Sequence, residues 1–228
     1  MCKALIFDMD GTLFQTDKIL EHALNDTFNH LRSQNLYHSA TPINKYREIM
    51  GVPLPTVWKI LLPNQTDVVR EQTDAYFLTR LIENIRRGNG ALYPHVKEIF
   101  SFLKEKNCSI FIASNGLTHY LNVIVDYYQL GEWVTETFSI QQVNTLDKAD
   151  LVKAIIKKHG IKTAAVVGDR LSDIHAAKQN GLAAIGCNFD FAREDELAQA
   201  DYVIDDMIQL KDILHQLNKN NIDCMEAT

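Results

Sequence analysis

Near the amino terminus, Ala4-Leu5-Ile6-Phe7 forms an apolar run of strand length that stops abruptly at Asp8-Met9-Asp10-Gly11-Thr12. A continuous apolar run of this kind marks a strand buried on both faces, and such strands occur in parallel sheets covered by helices on either side. Two carboxylates two residues apart, leaving the end of a buried strand, are costly unless positive charge lies between them, and a divalent cation would supply it. Gly11 lets the chain turn sharply, so that main-chain N–H groups can face an anion. Alone, Asp10-Gly11 is ordinary turn chemistry. Behind a buried strand, the spacing D-x-D-G-T points to a site.

The chain then changes character. Thr16 or Asp17 can cap a helix from about Lys18 to Ser33, with Ile19, Leu20, Ala23, Leu24, Phe28 and Leu31 at helical spacing. Shorter helices are expected over 43–50, ending at Gly51, and over 55–62. A long helix is expected over 67–87, with Val68, Val69, Ala75, Leu78, Leu81, Ile82 and Ile85 as its apolar stripe. Residues 15–88 show no strand signal.

From Tyr93 onward, strands alternate with helices. Pro94 is placed to start a helix through Lys106, and further helices are expected over 118–128, 148–159, 174–180 and 207–217. Strands are expected at Ser109–Ala113, Phe138–Ile140, Ala164–Val167, Ala183–Gly186 and Tyr202–Ile204, and 218–228 reads as a polar tail. The alternation predicts an α/β fold with a doubly wound, Rossmann-like parallel sheet. The helical excursion is too long for a loop, so the expected organisation is a core of 1–14 and 89–228 with an inserted helical subdomain, 15–88.

A net charge of −6 over 228 residues leaves no basic footprint for nucleic acid or an anionic membrane. The first residues lack the pattern of a signal peptide, and no apolar run reaches membrane-span length. Cys2, Cys108, Cys187 and Cys224 are scattered, without C-x-x-C spacing, which argues against zinc and against a disulfide framework; reduced thiols in a cytoplasm are the expectation.

In a doubly wound sheet, ligands sit beyond the carboxyl ends of the strands. Three expected strand ends carry polar groups: Asp8 and Asp10, Ser114 and Asn115, and Asp169 and Asp173. Together they suit phosphoryl transfer, with a carboxylate as nucleophile and Mg²⁺ offsetting its repulsion from a phosphate dianion.

These strings resemble the motifs of the haloacid dehalogenase-like phosphohydrolases, in the branch similar to phosphoglycolate phosphatases. The resemblance covers nearly the whole chain. It implies Asp8 as nucleophile, Asp10 as general acid/base and as a main-chain metal ligand, Ser114 and Asn115 at the phosphoryl group, and Lys148 balancing their charge. It further implies Asp169 as a metal ligand, with Asp173 holding a metal-bound water or orienting Lys148. The family's usual proline after the lysine is Ala149 here, which leaves Lys153 as the alternative. Residues 15–88 resemble a helical C1 cap, including Ile49-Met-Gly-Val-Pro53, whereas Asn188-Phe-Asp-Phe191 replaces a glycine-rich segment. The expected activity is Mg²⁺-dependent hydrolysis of a small phosphorylated metabolite by a monomer or dimer. The alternatives are a phosphomutase of the β-phosphoglucomutase type, although His22 is off that pattern, and a metal-independent dehalogenase, which would not need Asp10 or Asp169. A phospho-receiver domain would lack the helical insert, and a kinase or GTPase would need a P-loop, which is absent.

Overall fold

A computed structural model of the chain describes residues 3–49, 52–190 and 192–217. Cys2, Cys224, the end of the second expected helix at Met50-Gly51, Phe191 and the polar tail lie outside the described residues. The elements run β1 (Ala4–Phe7), α1 (Asp17–Ser33), α2 (Ile43–Glu48), α3 (Leu54–Leu61), α4 (Asp67–Arg86), α5 (Val96–Glu105), β2 (Ser109–Ser114), α6 (Thr118–Tyr127), β3 (Val134–Ser139), α7 (Lys148–His159), β4 (Ala164–Gly168), α8 (Leu171–Gln179), β5 (Ala183–Cys187), α9 (Glu194–Leu197) and β6 (Tyr202–Ile204). Residues 207–217 close the described chain as a helical segment.

The six strands are parallel, in the order β3-β2-β1-β4-β5-β6. The connections reverse direction at β1, so the crevice beside its carboxyl end is the switch point of the sheet. Strand alternation sends Leu5, Phe7, Ile110, Ile112, Ala165 and Val167 into one apolar layer and Ala4, Ile6, Phe111, Ala113 and Val166 into the other. Helices cover both layers, which is why β1, β2 and β4 read as unbroken apolar runs.

Four helices, α1–α4, separate β1 from the rest of the sheet. Their own core is aromatic: Phe77 lies 5.3 Å from the Trp58 ring and 5.6 Å from the Tyr46 ring, centroid to centroid. The chain leaves and re-enters side by side, since Gln15 N donates to Ala91 O at 2.8 Å and Tyr93 N to Leu13 O at 3.0 Å.

Several elements differ from the sequence expectation for identifiable reasons. On α4, Val68 and Ala75 of the expected stripe are exposed, and the buried face runs instead through Thr73, Phe77, Leu81, Ile82 and Ile85. Helix α5 starts at Val96 rather than Pro94, because His95 takes a left-handed conformation at φ 62°. Strand β3 begins at Val134, not Phe138: it is a sheet edge, and Glu136 there meets Lys158 and His159 of α7 instead of the core. Helix α8 begins at Leu171, which puts Asp173 in its first turn rather than before it.

Candidate active site

The register of the sheet explains why distant residues meet. Phe7 is level with Ile112 on one side and Val167 on the other. Asp8 follows Phe7, and Ser114 and Asp169 each lie two residues beyond its partners, so the three strand ends converge. Asp8 N still donates to Val167 O at 2.9 Å, which holds the first carboxylate at the end of the ladder. The chain then turns: Leu13 N and Phe14 N both donate to Met9 O at 2.9 Å, and Gly11 sits at φ 79°. A Cβ on Gly11 would run into the Asp169 carboxylate, and one on Gly168 into Asp173. Both glycines are needed for carboxylates to crowd this closely.

Ligand oxygens of Asp8, Asp169 and Asp173 lie within 4.8 Å of one another, and all three residues are buried. Lys148, 3 % exposed, reaches between them, its Nζ 2.5 Å from Asp8 Oδ1 and 2.5 Å from Asp173 Oδ1. It starts α7, where Asp147 caps the helix by accepting from Ala149 N at 2.8 Å. Lys153 is exposed on the same helix and stays away from the cluster. Thr12 donates to Asp169 Oδ1 at 2.8 Å. Ser114 is buried at the end of β2, its Oγ accepting from Gly116 N at 3.0 Å, and Asn115 lines the same cavity. Asp10 stands beside the cluster, and its Oδ1 accepts from Thr16 at 2.5 Å and from Tyr120 at 2.6 Å.

The electrostatics follow from burial. Desolvation pushes the Asp8 carboxyl up, and the Lys148 ammonium opposes this only in part. Asp169 is driven well above the usual carboxylate range by burial and then by the charges of Asp8 and Asp173. Burial pushes Asp173 up to about 6 against the pull of Lys148. Burial raises Asp10 as well, while the Thr16 and Tyr120 hydrogen bonds favour its charged form. Burial would discharge Lys148, but Asp173 and Asp8 outweigh it and keep the ammonium charged. One ammonium among four neighbouring carboxylates is an incomplete balance, and oxygen ligands in this arrangement suit a hard divalent cation. Cys187 below the cluster is raised by burial and is inert as a thiol.

Three contributors had little or no local sequence signal. Tyr120 comes from α6, 110 residues from its partner Asp10. Glu196, on the four-residue α9, grips Arg170 at 3.0 Å and 3.1 Å and accepts from Leu171 N at 2.8 Å, fixing the start of α8. Thr16 precedes a helix and reads as a cap, but its hydroxyl goes to Asp10 and its backbone is already helical, at φ −59° and ψ −29°. His22 is exposed on α1, and no histidine lines the cavity among the described residues.

A family model described as haloacid dehalogenase-like hydrolase matches residues 2–181. A phosphoglycolate phosphatase of Haemophilus influenzae is 26% identical over 227 residues, covering 93% of this chain and 98% of its own. The pyrophosphatase PpaX of Oceanobacillus iheyensis is 23% identical, covering 93% and 95%. Among solved structures, a predicted phosphoglycolate phosphatase from Haemophilus somnus superposes with a TM-score of 0.82 at 22% identity, covering 93% of this chain and 98% of that one.

Proposed function

This chain belongs to the haloacid dehalogenase-like hydrolases, and on that premise we propose that it hydrolyses small phosphomonoesters with Mg²⁺, carrying the phosphoryl group on Asp8. The observation that carries the reading is the buried Asp8 carboxylate at the end of the central strand, held by Lys148 at 2.5 Å among further carboxylates. Residues 15–88 serve as a cap over a core of 1–14 and 89–228.

In the first half-reaction, an Asp8 oxygen attacks phosphorus and the bond to the ester oxygen breaks. Its electron pair leaves on that oxygen, which takes the proton of Asp10. In the second, Asp10 accepts a proton from water, the water oxygen attacks phosphorus, and the bond to Asp8 breaks to release phosphate. Lys148 holds Asp8 in line and offsets charge on the transferring group, and Ser114 donates to a phosphoryl oxygen. Asp8, Asp169 and the Asp10 main-chain carbonyl would hold Mg²⁺, with Asp173 beside it, and the ion would supply the positive charge that the carboxylates and a phosphate dianion lack. The carboxylate excess favours this reading over a metal-independent dehalogenase, and the lack of a histidine among the described residues that line the cavity favours it over a mutase. Relatives named for phosphoglycolate and for pyrophosphate bring both compounds into the first substrate panel.

Hydrolysis of such a panel is expected in Mg²⁺ and is expected to stop in chelator; undiminished turnover in chelator would overturn the metal assignment. Melting curves add a second readout. Asp173 rises from 3.8 to about 6 on folding, so its contribution to stability is present below 3.8 and lost as pH rises through about 6. A cation must displace that proton. The gain in melting temperature on adding Mg²⁺ is therefore expected to be larger at about pH 8 than at about pH 5.

Tyr120 acts as a positioning residue. With Thr16, it places both donors on Oδ1 of Asp10, which leaves Oδ2 to move the proton. Because the Tyr120 hydrogen bond favours the carboxylate, Tyr120→Phe is expected to move the acid limb of the kcat profile to higher pH and to lower kcat roughly tenfold, with KM little changed. A loss of activity with the profile unmoved would mean that Tyr120 only fills space.

A further inference from the structure

The cavity above Asp8 has a volume of about 80 Å³. It is a small cavity, large enough to hold water, on the scale of a phosphoryl group and a leaving group of a few heavy atoms. Its two ends differ in chemistry. The floor is the carboxylate cluster with Ser114 and Asn115. The opposite wall is aliphatic: Val52, Leu54 and Val57 on and before α3, Leu78 and Leu81 on α4, and Leu117 at the start of α6.

The charged side chains lining the cavity, among the described residues, are Asp8, Asp10, Asp169 and Arg170. The Arg170 guanidinium is committed to Glu196 through two hydrogen bonds. Further cations, Lys45, Arg47 and Arg193, line an outer groove that adjoins the cavity at Arg170, each paired to a carboxylate of its own: Glu48 at 3.0 Å, Asp17 at 2.8 Å and Asp195 at 3.3 Å. The remaining polar contributors to the cavity wall include the hydroxyls of Thr16 and Tyr120, both already donating to Asp10, and that of Tyr46, which burial and the charge of Asp10 keep protonated.

Resting on the phosphatase reading, we infer that the preferred substrate is a short phosphomonoester whose leaving group is uncharged and largely apolar. A carboxylate or a second phosphate on the leaving group would lie against aliphatic side chains, away from the cations of the floor, and the one cation among the described lining residues, Arg170, is already paired with Glu196. A buried charge without a partner is among the strongest grounds for rejecting a ligand, whereas a few methylenes against Leu54, Val57 and Leu81 are retained by burial.

The test compares kcat/KM of the full chain with Mg²⁺ on n-propyl phosphate and on phosphoglycolate, which are similar in length and differ by a carboxylate. Propyl phosphate is expected to be favoured by about 100-fold. Leu54→Lys places an ammonium on the half-buried rim of the apolar wall; it is expected to raise kcat/KM for phosphoglycolate and lower it for propyl phosphate. Phosphoglycolate equal to or better than propyl phosphate in the unmodified chain overturns the inference and leaves the phosphatase reading standing. Hydrolysis of neither compound while another phosphomonoester in the panel turns over overturns the inference alone, and hydrolysis of none of the panel overturns both. The ratio in the unmodified chain decides even where Leu54→Lys fails to fold, which circular dichroism reports.

Discussion

Asp8→Asn is expected to lower turnover of every phosphomonoester by about 10⁴-fold or more while the protein stays folded. The amide keeps the shape of the side chain and its place at the end of β1, but it offers no anionic oxygen to attack phosphorus. Stability should not fall with activity. Asp8 is buried with Asp169 and Asp173, and burial and like charge already oppose its ionisation. Removing that charge relieves repulsion, and Lys148 keeps Asp173 as a partner at 2.5 Å. The melting temperature in chelator should therefore be unchanged or raised. Near-normal turnover by Asp8→Asn would remove the covalent route altogether.

Lys148→Met is expected to damage both properties. The buried ammonium touches two carboxylates, and among the described residues it is the cation in direct contact with the cluster. Breaking a buried ion pair from one side typically costs about 3–5 kcal/mol, because the other side stays buried and charged. For a chain of this length that corresponds to a melting temperature lower by roughly 10 °C in chelator. The loss should shrink toward about pH 5, where the raised carboxyls take up protons and no longer need a counter-charge. Added Mg²⁺ should restore part of the stability by supplying positive charge to the same carboxylates. Activity should still fall by about 10²–10³-fold, since Asp8 loses the group that aims it and the phosphoryl oxygens lose a fixed charge. A metal-free melting temperature equal to that of the unmodified protein would mean that Lys148 carries no structural charge balance.

The parts of the fold that could be read in the sequence are those where burial leaves a continuous mark. Strands β1, β2 and β4 lie at the centre of the sheet and are apolar on both faces, so composition alone announces them. Strand β3 is an edge whose first half is partly exposed, and Val134-Thr-Glu-Thr137 carries polar residues that hide it. The carboxylates of the site were legible for the same reason, since charge at the end of a buried strand demands an explanation. Tyr120 and Glu196 were not legible. Each depends on a contact made by tertiary packing between distant segments, and each sits in a local context, an amphipathic helix and a short acidic turn, that explains it fully without a site. Thr16 shows a further limit: a hydroxyl before a helix is usually a cap, and only the position of Asp10 reveals that it serves the carboxylate instead.

The central claim is that phosphate passes through Asp8, and it can be tested by trapping. On the proposed mechanism, Asp10→Asn lacks the group that activates water in the second half-reaction, so the acyl phosphate should form with a good leaving group such as nitrophenolate and then persist. The measurement is mass spectrometry of the peptide containing Asp8 after acid quench of Asp10→Asn with nitrophenyl phosphate and Mg²⁺, beside Asp8→Asn treated in the same way. The account predicts one phosphoryl group on Asp8 in the first protein and none in the second. Released nitrophenol with Asp8 unmodified, or a phosphoryl group on any other residue, would contradict it.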